Sequence, residues 1–119
     1  MSQVKTITLL PQTVIVTVGE KSPAASYYVS GKSTQTLSWK LTNFIGVIKF
    51  EASLEENPTV DGDWFTIYNL VCTIGNGNGG TSPTVPIFSY QNIEGNFVWI
   101  RASVSTRSFG TVNFVKVSY

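Results

Sequence analysis

Histidine is absent from the 119 residues, and cysteine occurs once, as Cys72. Without an imidazole there is no Ser/His/Asp or Cys/His relay and no nitrogen ligand for a transition metal, and a lone thiol cannot close an internal disulfide. Charge is scarce as well. Eight Lys and Arg stand against seven Asp and Glu, a net +1, so no positive field draws in nucleic acid or an anionic membrane. No apolar run approaches the roughly 20 residues that span a bilayer as a helix. The opening stretch MSQVKTITLLPQTVIVTVGEK has no basic start, unbroken apolar core or small-residue cleavage site, so export is not expected. These absences argue against an enzyme, a cofactor, a nucleic-acid partner and membrane insertion. In the apolar run IYNLVC, Cys72 reads as a small core hydrophobe of a reducing compartment.

What the chain does have is 42% hydrophobic and 13% aromatic residues, enough to pack one core and too little length for two domains. Period-two alternation of β-branched residues recurs throughout, and no window carries a helical stripe. Strands are expected at Val4 to Leu10 and, beyond Pro11, at Gln12 to Val18, with Val14, Val16 and Val18 on one face. Gly19 to Ser33 reads as a turn-rich connection, with a short strand at Tyr27 to Val29. Thr36 to Leu41 turns Leu37, Trp39 and Leu41 inward, and Val47 to Leu54 does the same with Ile48, Phe50, Ala52 and Leu54. Trp64 to Cys72, Thr84 to Tyr90, Phe97 to Ser105 and Thr111 to Ser118 complete the set, with turns at Asn92 to Asn96 and Arg107 to Gly110. The expected fold is an all-β, single-domain antiparallel β-sandwich, jelly-roll or immunoglobulin-like, of about seven to nine short strands. Residues 34–119 would form its body, and residues 1–33 would add N-terminal strands and a connection able to act as a docking arm.

Few motifs survive their structural requirements. Gly75, Gly77 and Gly80 match G-x-G-x-x-G, but Thr81, Ser82 and Pro83 follow where a phosphate-binding helix would have to start. Gly31, Lys32 and Ser33 imitate the end of a phosphate loop, yet Ser26 stands where its first glycine is needed. Glu55, Glu56, Asp61 and Asp63 crowd one loop and are the candidate ligands for a weak Ca²⁺ site, although their spacing fits no EF-hand. Asn57, Pro58 and Thr59 miss the glycosylation pattern because of the central proline. Three Trp, five Tyr and seven Phe suit either core packing or a sugar-stacking platform. Trp39 falls in the inward register, Trp64 opens a strand where a ring plugs the end of a sandwich, and Trp99 shares a face with Phe97 and Arg101 opposite a plainly aliphatic one. Covering both faces there requires a central strand or a partner subunit. The interface or ligand candidates are therefore Phe97, Trp99 and Arg101, the pair Tyr27 and Tyr28, and the row Val14, Val16 and Val18.

From Leu37 onward the chain resembles a β-sandwich module of tailed-bacteriophage virion proteins of the decoration or fibre type. The likeness rests on Gly46 to Ser53, on Asp61, Gly62 and Asp63 turning into Trp64, on the apolar strand Phe97 to Arg101, and on Ser108, Phe109 and Gly110 before the last strand. It implies a non-enzymatic structural protein of the head, neck or tail, made in the bacterial cytoplasm and incorporated in the virion. Its partners would be other virion proteins or further copies of itself, with host-surface glycans as the alternative target.

Overall fold

The computed structural model describes residues 6–24, 33–72 and 87–119. Among the described residues seven strands form one antiparallel sheet: β1 (Thr6–Leu10), β2 (Thr17–Val18), β3 (Ser22–Pro23), β4 (Thr34–Ser53), β5 (Phe65–Cys72), β6 (Ile87–Glu94) and β7 (Trp99–Ser118). The all-β antiparallel expectation holds, with a single three-residue 3₁₀ turn at Asp61–Asp63 as the only helical element among the described residues. What differs is the length of two strands. Thr36 to Leu41 and Val47 to Leu54 are one strand, β4, and Phe97 to Ser105 and Thr111 to Ser118 are one strand, β7, each 20 residues long.

These two long strands pair from Thr36↔Ser118 to Ser53↔Trp99, and they fold back on themselves. Trp39 and Phe50 lie eleven positions apart in β4, which in a straight strand would separate them by about 36 Å. Their ring centroids are 5.9 Å apart. The fold is at residues 40–48 and 104–114, where the pairing register shifts four times. Each shift inserts a residue and bends the ladder. Asn43 sits at φ 54° and Gly110 at φ 86°, a conformation open to Gly and Asn at little cost. A side chain on Gly110 would also overlap the Asn43 carbonyl, and one on Gly46 the Thr106 carbonyl. The inserted residues change which positions point inward: Gln35, Leu37, Trp39 and Leu41 are buried before the bend, Phe44, Ile48, Phe50 and Ala52 after it.

Beyond the bend, each half of the long pair gains its own neighbours. β6 extends the sheet beside Thr34–Leu41, and β5 beside Gly46–Ala52. On the opposite flank β1 pairs with the end of β7, while β2 and β3 pair with its beginning. The core lies between the two halves and includes Phe44, Phe50, Leu37, Ile100 and Val115, with Trp39 stacked on Tyr68 at 6.0 Å. Burial of such side chains contributes about 1.5–3 kcal/mol each. Buried polar groups are bonded to backbone: Gln35 donates its amide to the Ser33 and Ile93 carbonyls at 3.1 and 3.0 Å, and Tyr119 donates its hydroxyl to the Pro23 carbonyl at 2.6 Å.

Four expectations need correcting. Leu54 is exposed because β4 ends at Ser53. Residues 12–18 are a strand only at Thr17–Val18, joined by one bridge between Thr13 and Val112, so Val14, Ile15 and Val16 are all exposed rather than sorted onto two faces. The turn expected at Asn92 to Asn96 starts later, since β6 runs to Glu94. The body is not confined to residues 34–119: β1 is an edge strand, yet its Leu9 and Leu10 are core, which ties the N-terminal strand to the rest.

Candidate interaction surfaces

Arg101 lies on the outer face of the β4–β7 pair, directly opposite Glu51. Its Nε donates to Glu51 Oε1 at 3.0 Å, and both side chains are about 15% exposed. The guanidinium stacks 4.2 Å from the centre of the Trp64 ring and reaches Asp61 Oδ1 at 3.6 Å. Trp64 therefore does not plug the end of the sandwich. It arrives on the outer face because the loop of residues 54–64 folds across it, and Arg101 is the post on which the loop rests. Trp99 belongs to the same arrangement: its Nε1 donates to the Glu56 carbonyl at 2.8 Å, and Lys21 Nζ stands 4.3 Å from the ring centre. The second face that seemed to call for a partner around Trp99 and Arg101 is covered by the chain's own loop. Phe97 parts from them, packing against the core with its ring 5.9 Å from Phe65.

The loop and the segment of residues 18–21 form two walls of a cleft of about 360 Å³, floored by Arg101 and Trp64. Glu20 and Asp61 offset Lys21 and Arg101 there, and Glu51 already holds the guanidinium. The cleft therefore has no surplus charge with which to hold an ion. The four candidate Ca²⁺ ligands do not converge. Asp63 accepts the Thr59 and Val60 amides at 2.8 and 3.2 Å, closing its own turn, while Asp61 faces Arg101. Among the described residues no group of three or more potential ligands gathers.

Cys72 ends β5 opposite Gly46 and is buried. Burial pushes its thiol up to about 11, which keeps it protonated and a poor nucleophile at neutral pH. Tyr27, Tyr28 and the glycine run of residues 75–80 lie outside the described residues.

A surface the sequence reading did not single out is the outer face of the other half, along β6. Lys40 and Phe88 are cross-strand neighbours, as are Ser38 and Tyr90, Thr36 and Asn92, and Thr34 and Glu94. Phe88 is 65% exposed and Tyr90 64%. Phe88 meets Phe114 edge-on at 5.4 Å, and Lys116 Nζ stands 4.3 Å from the Phe114 ring centre. Polar side chains beside them bond across the strands: the Thr36 hydroxyl donates to Asn92 Oδ1 at 2.7 Å, and the Thr6 and Ser118 hydroxyls share a bond of 3.0 Å. The available signal was the alternation Phe88, Tyr90, Asn92, in which two of the outward residues are aromatic where a solvated face would be charged. A second exposed apolar group is Val14, Ile15, Val16 and Val18. Compared with known proteins, the chain matches no family model and no curated relative.

Proposed function

We propose that the protein is a non-catalytic structural subunit of a tailed-bacteriophage virion, a decoration or attachment protein of the head, neck or tail that works by contact with neighbouring chains. The observation carrying this reading is a pair of separate exposed apolar groups, Phe88 and Tyr90 on a sheet edge and Val14, Ile15, Val16 and Val18 on the opposite flank. Two separate sticky regions suit a subunit held between neighbours better than a protein with one ligand site. The resemblance of residues 37–119 to phage sandwich modules supplies the setting, with synthesis in the bacterial cytoplasm and a destination on the particle. Mass spectrometry of purified particles tests it: the chain should be present in multiple copies, and its absence from intact particles would remove the proposal.

The alternative, a module that binds host-surface glycans, is favoured by one observation, the two neighbouring exposed rings of Phe88 and Tyr90 beside a hydroxyl-rich sheet face. Trp99 serves it less well than expected, since Lys21 stands over its ring. A glycan array with wild type and Tyr90→Ser separates the readings, because only sugar binding predicts a signal that the substitution removes.

A further inference from the structure

Four kinds of edge close the sheet, and they differ in how well they are protected. β1 is five residues long and runs into Pro11, and β2 and β3 are two residues each, β3 containing Pro23. Short strands and proline are the usual means by which an edge is kept from pairing with another chain. β5 and β6 have eight residues each and no proline. The β4–β5 ladder carries a register shift at Phe50/Glu51, and such a bulge twists an edge out of a pairing geometry. The β4–β6 ladder runs through eight successive pairs, Thr34↔Glu94 to Leu41↔Ile87, with no shift. Among the described residues β6 has no strand on its other side. Its outward backbone groups, which pair with no described strand, lie beside two exposed aromatic rings with a single charge, Glu94, at the far end.

The geometry points to a second copy of this chain as the occupant, paired antiparallel β6 to β6 about a two-fold axis at Gln91. The charges select both partner and direction. Glu94 closes one end of the strand, and Lys40 flanks Phe88 near the other. In the antiparallel arrangement centred on Gln91, Phe88 stands opposite the partner's Glu94. That carboxylate then comes within one strand spacing of Phe88 and two of Lys40, about 10 Å between backbones and within reach of the two side chains. The contact occurs twice by symmetry. A parallel pairing would instead set Glu94 against Glu94. The same register makes the two Tyr90 rings diagonal neighbours, at a separation that aromatic side chains bridge. The two sheets would become one continuous sheet across the axis. This pairing goes beyond the virion reading and stands without it, since a purified chain should show it.

Sedimentation equilibrium of the full chain tests the proposal. Wild type should show a dimer of twice the 13.0 kDa chain mass. Tyr90→Lys, which brings two like charges together at the axis, should raise the dimer Kd by more than about a hundredfold. Val71→Lys, an exposed substitution on β5, should leave it unchanged. Lys40→Glu and Glu94→Lys should each weaken the dimer, and the double variant should recover it. Circular dichroism melting of each variant confirms that it is folded. A wild type that remains a monomer at several hundred micromolar overturns the proposal. So does a dimer broken by Val71→Lys and not by Tyr90→Lys, or a double charge variant no tighter than the single ones. Absence of the chain from phage particles would remove the virion reading and leave this pairing standing.

Discussion

The two halves of the folded strand pair present outer faces built on the same alternation but finished differently. On the half formed by the end of β4 and the start of β7, the loop of residues 54–64 crosses the face, and Trp64, Arg101, Glu51 and Trp99 are engaged beneath or within it. On the other half Phe88 and Tyr90 stand largely in solvent. A polar residue in an outward register is therefore no sign of a wet face, nor an aromatic one of a covered face. What decides is where the neighbouring loop goes, and that depends on the bend that brings the two halves together.

The largest effect should come from the residues both halves share. Phe50→Ala removes a ring that contacts Trp39 on one half and Tyr68 on the other, and should cost about 3–5 kcal/mol in urea unfolding. Trp39→Ala should cost as much. If either loses under about 1 kcal/mol, the halves are not packed on each other and the comparison of their faces fails. Next is the hinge itself. Gly110→Ala places a Cβ at φ 86° against the Asn43 backbone, and about 2–3 kcal/mol of destabilisation is expected.

The covered face should respond less. Arg101→Met takes the guanidinium off the Trp64 ring and leaves Glu51, 16% exposed, without its donor, a loss of about 1–2 kcal/mol. The loop should loosen with it, red-shifting the tryptophan emission as Trp64 meets water. A double-mutant cycle with Glu51→Gln checks the cause, since the two losses should not add if the pair acts as a unit. Unchanged emission would mean the loop holds its place without Arg101.

Much of this fold was legible, and the exceptions share one physical reason. The inward row Leu37, Trp39, Leu41 and the inward row Ile48, Phe50, Ala52 were both readable as half-buried strands. Their parity differs, odd then even, and so does that of Ile100, Ala102, Val104 against Val115, Val117. A change of parity is what a turn between two strands produces, and equally what inserted residues in one bent strand produce. Alternation alone does not separate the two, so Gly110 read as the end of a turn and residues 42–46 as the gap between two strands, where Asn43, Gly46 and Gly110 are hinge residues. The role of Arg101 followed the same pattern. Its company with Trp99 and the need to cover that face could be read from the outward register, whereas Glu51 as its partner depends on the pairing of β4 with β7. Gln35 and Tyr119 gave no signal, because a buried amide or phenol is recognised only by the carbonyls it meets. Leu9 and Leu10 could be seen as apolar but not as core, since their burial comes from pairing with the far end of the chain.

Cys72 gives a smaller, pH-dependent effect on the inner side of β5. Its thiol is raised by burial from 9.0 to about 11, so its contribution is complete below about pH 9 and is lost as the pH rises towards 11, where the unfolded chain ionises and the folded one resists. Wild type should thus lose stability between pH 9 and 10.5 relative to Cys72→Val, which has no thiol to ionise. At pH 8 the native thiol should react with a disulfide reagent at least about a hundredfold more slowly than a free cysteine. Fast labelling would mean that the end of β5 opens readily, and would weaken the view of Cys72 as core.

The smallest stability change should come from the bare face, and its smallness is what distinguishes that face from the covered one. Phe88 and Tyr90 keep most of their surface in water, so replacing both with Ser forfeits little burial within the chain. The Phe88 contact with Phe114 at 5.4 Å accounts for most of what is lost, and the double variant should melt within about 0.5–1 kcal/mol of the wild type under dilute conditions where only monomers are present. At high concentration the two proteins should diverge, because association stabilises the wild type by mass action and the variant has lost the surface that associates. The melting temperature of the wild type should therefore rise with protein concentration while that of the variant stays flat. A variant already strongly destabilised at low concentration would place Phe88 and Tyr90 in the packing of a single chain, and the difference between the two faces would then be one of degree. Parallel concentration dependence in both proteins would move the associating surface elsewhere, with the exposed group Val14, Ile15, Val16 and Val18 on the opposite flank as the next candidate.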